Sequence, residues 1–174
     1  LVADILAMSA ASRHGVDFAL RPAAADVGEI IAAAVTSAAQ HASAHGIRID
    51  ASGVAPCPGV VDAHRMRQVV DNLLSNAVKY NTRGGAVAVT VERADGTITI
   101  SVADDGPGIS ANDQGRVFDR FFRADAVRGS SVHGSGLGLS ISRDIARAHG
   151  GDITVRSEPG QGTVFTVRLP QREG

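Results

Sequence analysis

The feature that most limits what this chain can become is a pair of alternating runs separated by a two-residue turn. Val87, Val89 and Val91 alternate with smaller residues, Asp95-Gly96 follows, and Ile98, Ile100 and Val102 alternate on the return. Alternation places the apolar side chains of a strand on one face, and Asp-Gly suits the tight two-residue hairpin loop. A hairpin with one apolar face must bury that face against another layer.

Helices can supply that layer. After Asp26, a plausible N-cap, the residues Val27, Ile30, Ile31, Ala34, Val35 and Ala38 form one helical stripe, which ends at His45-Gly46. A second helix is predicted from about Ala63 to Tyr80, with Met66, Val69, Val70, Leu73, Leu74 and Ala77 on its buried face. A third carries Leu137, Ile141, Ile145 and Ala148 and stops at Gly150-Gly151. Further strands are expected at Phe18 and Leu20 before Pro22, at Ile47 to Asp50, at Ile153 and Val155, and at Phe165, Val167 and Leu169. Pro56, Pro58 and Gly59 read as a loop leading into a short apolar run, Val60-Val61, and Asp104 to about Gly136 reads as a glycine-rich turn and loop. The order of elements predicts an α/β (α+β) fold, a two-layer sandwich whose mixed sheet is covered on one face by helices.

Composition sets bounds on function. The chain has 174 residues, enough for one domain with a short extra piece. Aromatic residues are only 3%, so Ala, Val, Leu and Ile must fill the core. Lys and Arg number 17 against 18 Asp and Glu, and such a balance argues against a nucleic-acid partner. Cys57 has no second cysteine to pair with and reads as a buried thiol. No apolar run approaches the roughly 20 residues that span a bilayer, which fits a cytosolic module.

Three segments carry chemistry. On the Ala63–Tyr80 helix, at about 100° per residue, Asn72, Asn76 and Lys79 share a stripe beside the apolar face. An amide oxygen there can ligate Mg²⁺ and a lysine can neutralise phosphate; a solvated helix face is the alternative. Asp104-Asp105-Gly106-Pro107-Gly108-Ile109 follows a strand, where glycines admit a ligand to the backbone and a carboxylate can accept from an amino group; a plain turn is the alternative. Gly134-Ser135-Gly136-Leu137-Gly138-Leu139 opens the last helix, whose first N–H groups attract phosphate. It fits neither the dinucleotide fingerprint, since a long loop precedes it, nor a Walker loop.

In this order the segments resemble the histidine-kinase branch of the GHKL (Bergerat-fold) ATP-binding superfamily. Asp71 to Tyr80 is similar to the N box, Asp104 to Ile109 to the G1 box, Val117 to Arg123 to the F box and Gly134 to Leu139 to the G2 box; His149-Gly150-Gly151 and Gly160 to Thr163 match the C-terminal pattern. The resemblance runs from about Pro22 to Pro170. It implies that Asn76 ligates Mg²⁺ with support from Asn72, that Lys79 contacts phosphate and that Tyr80 lies near the nucleotide. It implies that Asp104 reads the adenine amine, that Gly106 and Gly108 make room for the base beside Ile109, and that Thr163 belongs to the same site. Gly134, Ser135, Gly136, Leu137, Gly138 and Leu139 would face the phosphates. Arg123 would reach the γ-phosphate from a lid that runs to about His133.

Related ATPases of the superfamily carry a Glu four residues before the metal-binding Asn. Here that position is Asn72, and an amide is no general base, so the resemblance implies a kinase that holds ATP without rapid hydrolysis. The acceptor histidine of such kinases precedes an acidic residue, and none of His14, His41, His45, His64, His133 and His149 does. Residues 1–16, helix-like at Leu1, Ile5 and Met8, are accordingly expected to be the remnant of the second helix of a dimerisation and phosphoacceptor domain, with residues 17–174 the catalytic domain. The implied partners are ATP, that dimerisation domain and a downstream response regulator. The domain alone would be a monomer, and the parent a homodimer anchored in the bacterial membrane. An anti-sigma-type serine kinase, a weak ATPase and a nucleotide-binding scaffold are the alternatives.

Overall fold

A computed structural model describes residues 19–122 and 135–171. The elements are β1 (Ala23–Asp26), α1 (Val27–Ala44), β2 (Arg48–Gly53), β3 (Pro58–Val61), α2 (Ala63–Lys79), β4 (Ala86–Ala94), β5 (Thr97–Asp104), α3 (Ala111–Gln114), α4 (Gly138–Ala148), β6 (Asp152–Glu158) and β7 (Gly162–Pro170). Five strands form one mixed sheet in the order β2-β4-β5-β7-β6. Only β2 and β4 run parallel, and α2 lies in the crossover that this pairing needs. The expected two-layer α/β architecture is present.

The hairpin pairs in the register that its alternation demands. Val89 sits opposite Val102 and Val91 opposite Ile100, and β7 continues the row with Phe165 opposite Val102 and Val167 opposite Ile100. All of these side chains are buried, under α1, α2 and α4. Met66, Leu73 and Leu74 of α2, Ile31 of α1 and Ile145 of α4 are fully enclosed between the layers. Cys57 is buried and free, as expected.

Side chains cap both long helices at their starts. The Asp26 carboxylate accepts from Gly28 N at 2.8 Å, Glu29 N at 3.3 Å and Cys57 N at 2.8 Å, which lowers its pKa, the Cys57 bond being the main cause. Asp62 caps α2 through Arg65 N. Its own N–H donates to His149 Nε2 at 3.0 Å, while His149 Nδ1 lies 2.8 Å from the Ile145 carbonyl. An accepting Nε2 and a donating Nδ1 define the neutral Nδ1–H tautomer. His149 therefore ties the end of α4 to the start of α2, a structural role.

Two local expectations are corrected. The first strand lies after Pro22, at Ala23–Asp26, and Leu20 lies outside any strand, while Phe18 falls outside the described residues. Its partner is β3, paired antiparallel with Ala23 opposite Val61 and Asp26 opposite Pro58. Pro58 is tolerated because it opens the strand. Within the stretch read as loop, residues 111–114 form a helical turn capped by Ser110, too short to carry a periodic stripe. Residues 1–16, with the expected helical remnant, also lie outside the described residues.

Candidate functional site

Helix α2 brings the amide stripe to the edge of the core, and β5 and β7 bring the acidic turn to meet it. Between them opens a cavity of about 270 Å³. Asn72, Asn76, Lys79 and Tyr80 line it from α2 and its C-cap; Asp104, Gly108, Ile109 and Thr163 line it from β5, the turn after it and β7; Ser135, Gly136, Gly138 and Leu139 line it at the start of α4. Twelve of the residues singled out in the sequence thus share one cavity. Gly106 and Leu137 do not line it: Gly106 packs on the backbone of Tyr80 and Asn81, and Leu137 is buried at the start of α4. Arg123 and Gly134 lie outside the described residues.

Asp104 is held at the end of β5, where its carboxylate accepts from Gly106 N at 3.0 Å. Burial pushes its pKa above the ordinary aspartate value, and the neighbouring Asp105 charge adds to this, against the opposing pull of the Gly106 and Thr163 backbone bonds. Asp105 points away and accepts from Ala86 N at 2.7 Å and Asn81 Nδ2 at 3.1 Å, bracing the turn after α2. Gly108, with φ +74°, packs so closely on the β6–β7 hairpin that a Cβ would collide with the Glu158 carbonyl. The hairpin therefore walls the end of the cavity at Asp104.

The other end is helical. Asn72 Nδ2 donates to Ser142 Oγ at 2.9 Å, and the Asn72 Oδ1 fills the space that a Cβ on Gly138 would take. Asn72 thus joins α2 to α4 rather than standing free. Among the described residues no side chain caps the start of α4, where the Leu137 N–H meets Ser135 Oγ at 3.4 Å. Lys79 Nζ lies 5.2 Å from the Tyr80 ring centre. Asp71 pairs on its own helix with Arg67 at 2.8 Å, and Arg67 in turn donates to Ser37 of α1. Asp104 is the one carboxylate among the described lining residues.

Five lining residues were not singled out beforehand as site residues: Ser75, Pro107, Val117, Phe122 and Phe165. Ser75 completes the i, i+3, i+4, i+7 series with Asn72, Asn76 and Lys79, and Phe165 shares the inner face of β7 with Thr163, so both were within reach of periodicity. In the F box, Phe118 and Phe122 pack against the core, with Phe118 edge-on to Phe165 at 6.2 Å and under the Arg143 guanidinium at 4.6 Å. Phe121 is 60% exposed and adopts φ +63°, a strained value for a bulky residue. Its N–H donates to the Gly136 carbonyl at 2.9 Å. The cluster is mixed, part packing and part surface.

Residues 61–173 match the family described as histidine kinase-, DNA gyrase B-, and HSP90-like ATPase. The chain belongs to this family. Its relatives place it with the sensor histidine kinases. Sensor histidine kinase WalK of Bacillus subtilis (strain 168) is 44% identical over 115 residues, 65% of this chain and 19% of that protein. Sensor-like histidine kinase SenX3 of Mycobacterium tuberculosis (strain ATCC 25618 / H37Rv) is 48% identical over 99 residues, 57% of this chain and 24% of that protein. The solved mycobacterial sensor histidine kinase MprB superposes with TM-score 0.77 at 31% identity, covering 87% of this chain and all of that one. The chain spans about a fifth to a quarter of the length of these curated kinases. It is an ATP-binding catalytic domain of the histidine kinase type, and the cavity is its candidate nucleotide site.

Proposed function

We propose that the domain binds Mg²⁺·ATP in this cavity and transfers the γ-phosphoryl group to a histidine on a dimerisation domain of the same protein. The observation that carries the reading is the placement of carboxylates. The one acid among the described lining residues, Asp104, stands at the base end, while Asp71 is paired with Arg67 outside the cavity and Asn72 is bound to Ser142. Among the described residues the phosphate end therefore lacks a side chain able to deprotonate water at neutral pH. Phosphoryl transfer needs mainly positioning and charge neutralisation, and an acceptor histidine brings its own nucleophilic nitrogen.

Asp104, steadied by the Gly106 N–H, would accept from the adenine amine, and Gly108 would lie against the base next to Ile109. Lys79 and the backbone N–H groups at Ser135, Gly136 and Gly138 would hold the phosphates. Tyr80 and Leu139 would bound the site and Thr163 would complete the base end. Gly134 and Arg123 would act from the segment that joins the F box to the G2 box. Among the described residues no three His, Cys, Asp or Glu gather as a metal cage. That suits Mg²⁺, which keeps waters and phosphate oxygens and needs few protein ligands, here the Asn76 amide oxygen. Bound there, the ion would neutralise phosphate charge.

The wider reading follows the family. The phosphohistidine would be passed to a response regulator, and the parent would be a homodimer. Among the described residues no helix is long and apolar enough to cross a membrane, so anchoring of the parent would come from other segments. The test is to incubate the domain, with labelled ATP and Mg²⁺, with a histidine-kinase dimerisation domain. Acid-labile label on histidine is expected, and Asn76→Ala should cut transfer by at least about 100-fold. Acid-stable label would point to a serine kinase. ATP bound without transfer would point to a scaffold.

A further inference from the structure

The hydroxyl of Ser157, near the end of β6, meets three partners at once. It lies 2.7 Å from the Gly162 carbonyl oxygen, 2.7 Å from the Ile109 backbone nitrogen and 2.9 Å from Thr163 Oγ1. A serine hydroxyl has one proton and two lone pairs. The Ile109 N–H can only donate, so it takes one lone pair. The Gly162 carbonyl can only accept, so it takes the proton. Two oxygens 2.9 Å apart need a proton between them, and the one left to bridge Ser157 and Thr163 belongs to Thr163.

That proton count has a consequence at the cavity. Thr163 is buried, lines the cavity and pairs with Asp104 across β5 and β7. With its proton committed to Ser157, Thr163 Oγ1 offers the cavity lone pairs only. An ionised Asp104 is likewise an acceptor. Gln114 holds the arrangement shut, its Nε2 donating to the Ile109 carbonyl at 3.0 Å and the Ser157 carbonyl at 2.8 Å. Two side-chain acceptors side by side suit an amino group. Adenine presents N6–H₂ as donor, whereas guanine presents the O6 acceptor in its place.

We propose that Ser157 is a specificity-determining positioning residue: by fixing the direction of the Thr163 hydroxyl, it selects adenine over guanine. The proposal rests on the reading of this cavity as the ATP site. Without the Ser157 oxygen, the Thr163 hydroxyl is free to turn and donate to a guanine carbonyl.

The test is calorimetric titration of ATP and of GTP, each with Mg²⁺, into the wild-type chain and into Ser157→Ala, Ser157→Thr, Thr163→Val and Ser157→Ala/Thr163→Val, with folding checked by circular dichroism. Ser157→Ala is expected to lower the ratio of ATP to GTP affinity about 10-fold, with GTP binding unchanged or stronger. Ser157→Thr, which restores a hydroxyl, should return the ratio toward wild type. In the Thr163→Val background Ser157→Ala should change the ratio no further. Equal weakening of both nucleotides by Ser157→Ala would overturn the proposal and leave Ser157 as a brace of the hairpin. If Ser157→Ala does not fold, Thr163→Val decides: a reduced ratio supports the proposal and an unchanged one overturns it. Failure of the underlying site reading would look different, as a wild-type chain that binds neither nucleotide or an Asp104→Ala variant that binds ATP normally.

Discussion

The two ends of the cavity are closed against different materials. At the base end Gly108 abuts a main-chain carbonyl of the β6–β7 hairpin, Glu158 O, and the hairpin is in turn locked to the Ile109 turn through Ser157 and Gln114. At the phosphate end Gly138 abuts the side chain of Asn72, which also donates a side-chain hydrogen bond to Ser142 of α4. Backbone held in a sheet cannot yield without breaking its ladder, but a side chain can rotate. The base end is therefore a rigid mould, whereas the phosphate end is an adjustable joint between two helices. The arrangement matches the chemistry proposed for it, since the base only has to be recognised while the phosphates have to be repositioned during transfer.

The strongest way to break this comparison is Gly108→Ala. The new methyl would strike the Glu158 carbonyl in a backbone conformation, φ +74°, that alanine resists. We expect a loss of about 3 kcal/mol of stability, seen as a lower melting temperature, together with loss of measurable ATP binding by calorimetry. A variant that melted and bound ATP like wild type would mean that the base end is as pliable as the other.

Gly138→Ala should be milder, because its neighbour is a side chain. A cost of about 1 kcal/mol and a modest loss of ATP affinity are expected. The sharper test is the double variant Asn72→Ala/Gly138→Ala. If the collision is with the Asn72 amide, removing that amide relieves it, and the double variant should melt above Gly138→Ala alone, with a coupling of about 1 kcal/mol. Additive losses would show that Gly138 is constrained by something other than Asn72.

How much of this could be read beforehand differs between the same two ends. The phosphate end was legible because α2 records both of its faces in one periodic run: Met66 to Ala77 mark the core side, and Asn72, Asn76 and Lys79 mark the cavity side. The base end was legible only as the turn from Asp104 to Ile109. Ser157 is one serine in an alternating strand, and nothing local distinguishes its hydroxyl from a solvent-facing one. Its role arises when β6 and β7 bring Gly162 and Thr163 beside it. The first strand was misplaced for a similar reason, since Ala23 to Asp26 carry no β-branched signal and become a strand only through pairing with Pro58–Val61, some 35 residues away. The Asn72–Ser142 bond joins residues 70 positions apart and also depends on the packing of two helices.

The smallest effect should come from outside both ends, at the ion pair that supports the F box from beneath. Arg143 stacks on Phe118 and holds Asp152 in a two-point bond at 2.7 and 2.9 Å. That bond, with the nearby Arg147 charge, takes the Asp152 pKa down to about 2. A depressed folded-state pKa means that the stabilisation is complete above the ordinary aspartate value and fades as the pH falls toward 2. Both side chains keep substantial solvent contact, 29% and 40%, so screening limits the gain to about 0.5–1 kcal/mol. Asp152→Asn should therefore lower the melting temperature slightly at neutral pH and converge with wild type near pH 2, with ATP affinity unchanged at neutral pH. A fall in ATP affinity would show that the Phe118 brace reaches the cavity through Phe165. The division would then run between the helical end and everything built on the sheet, rather than between the two ends of the cavity.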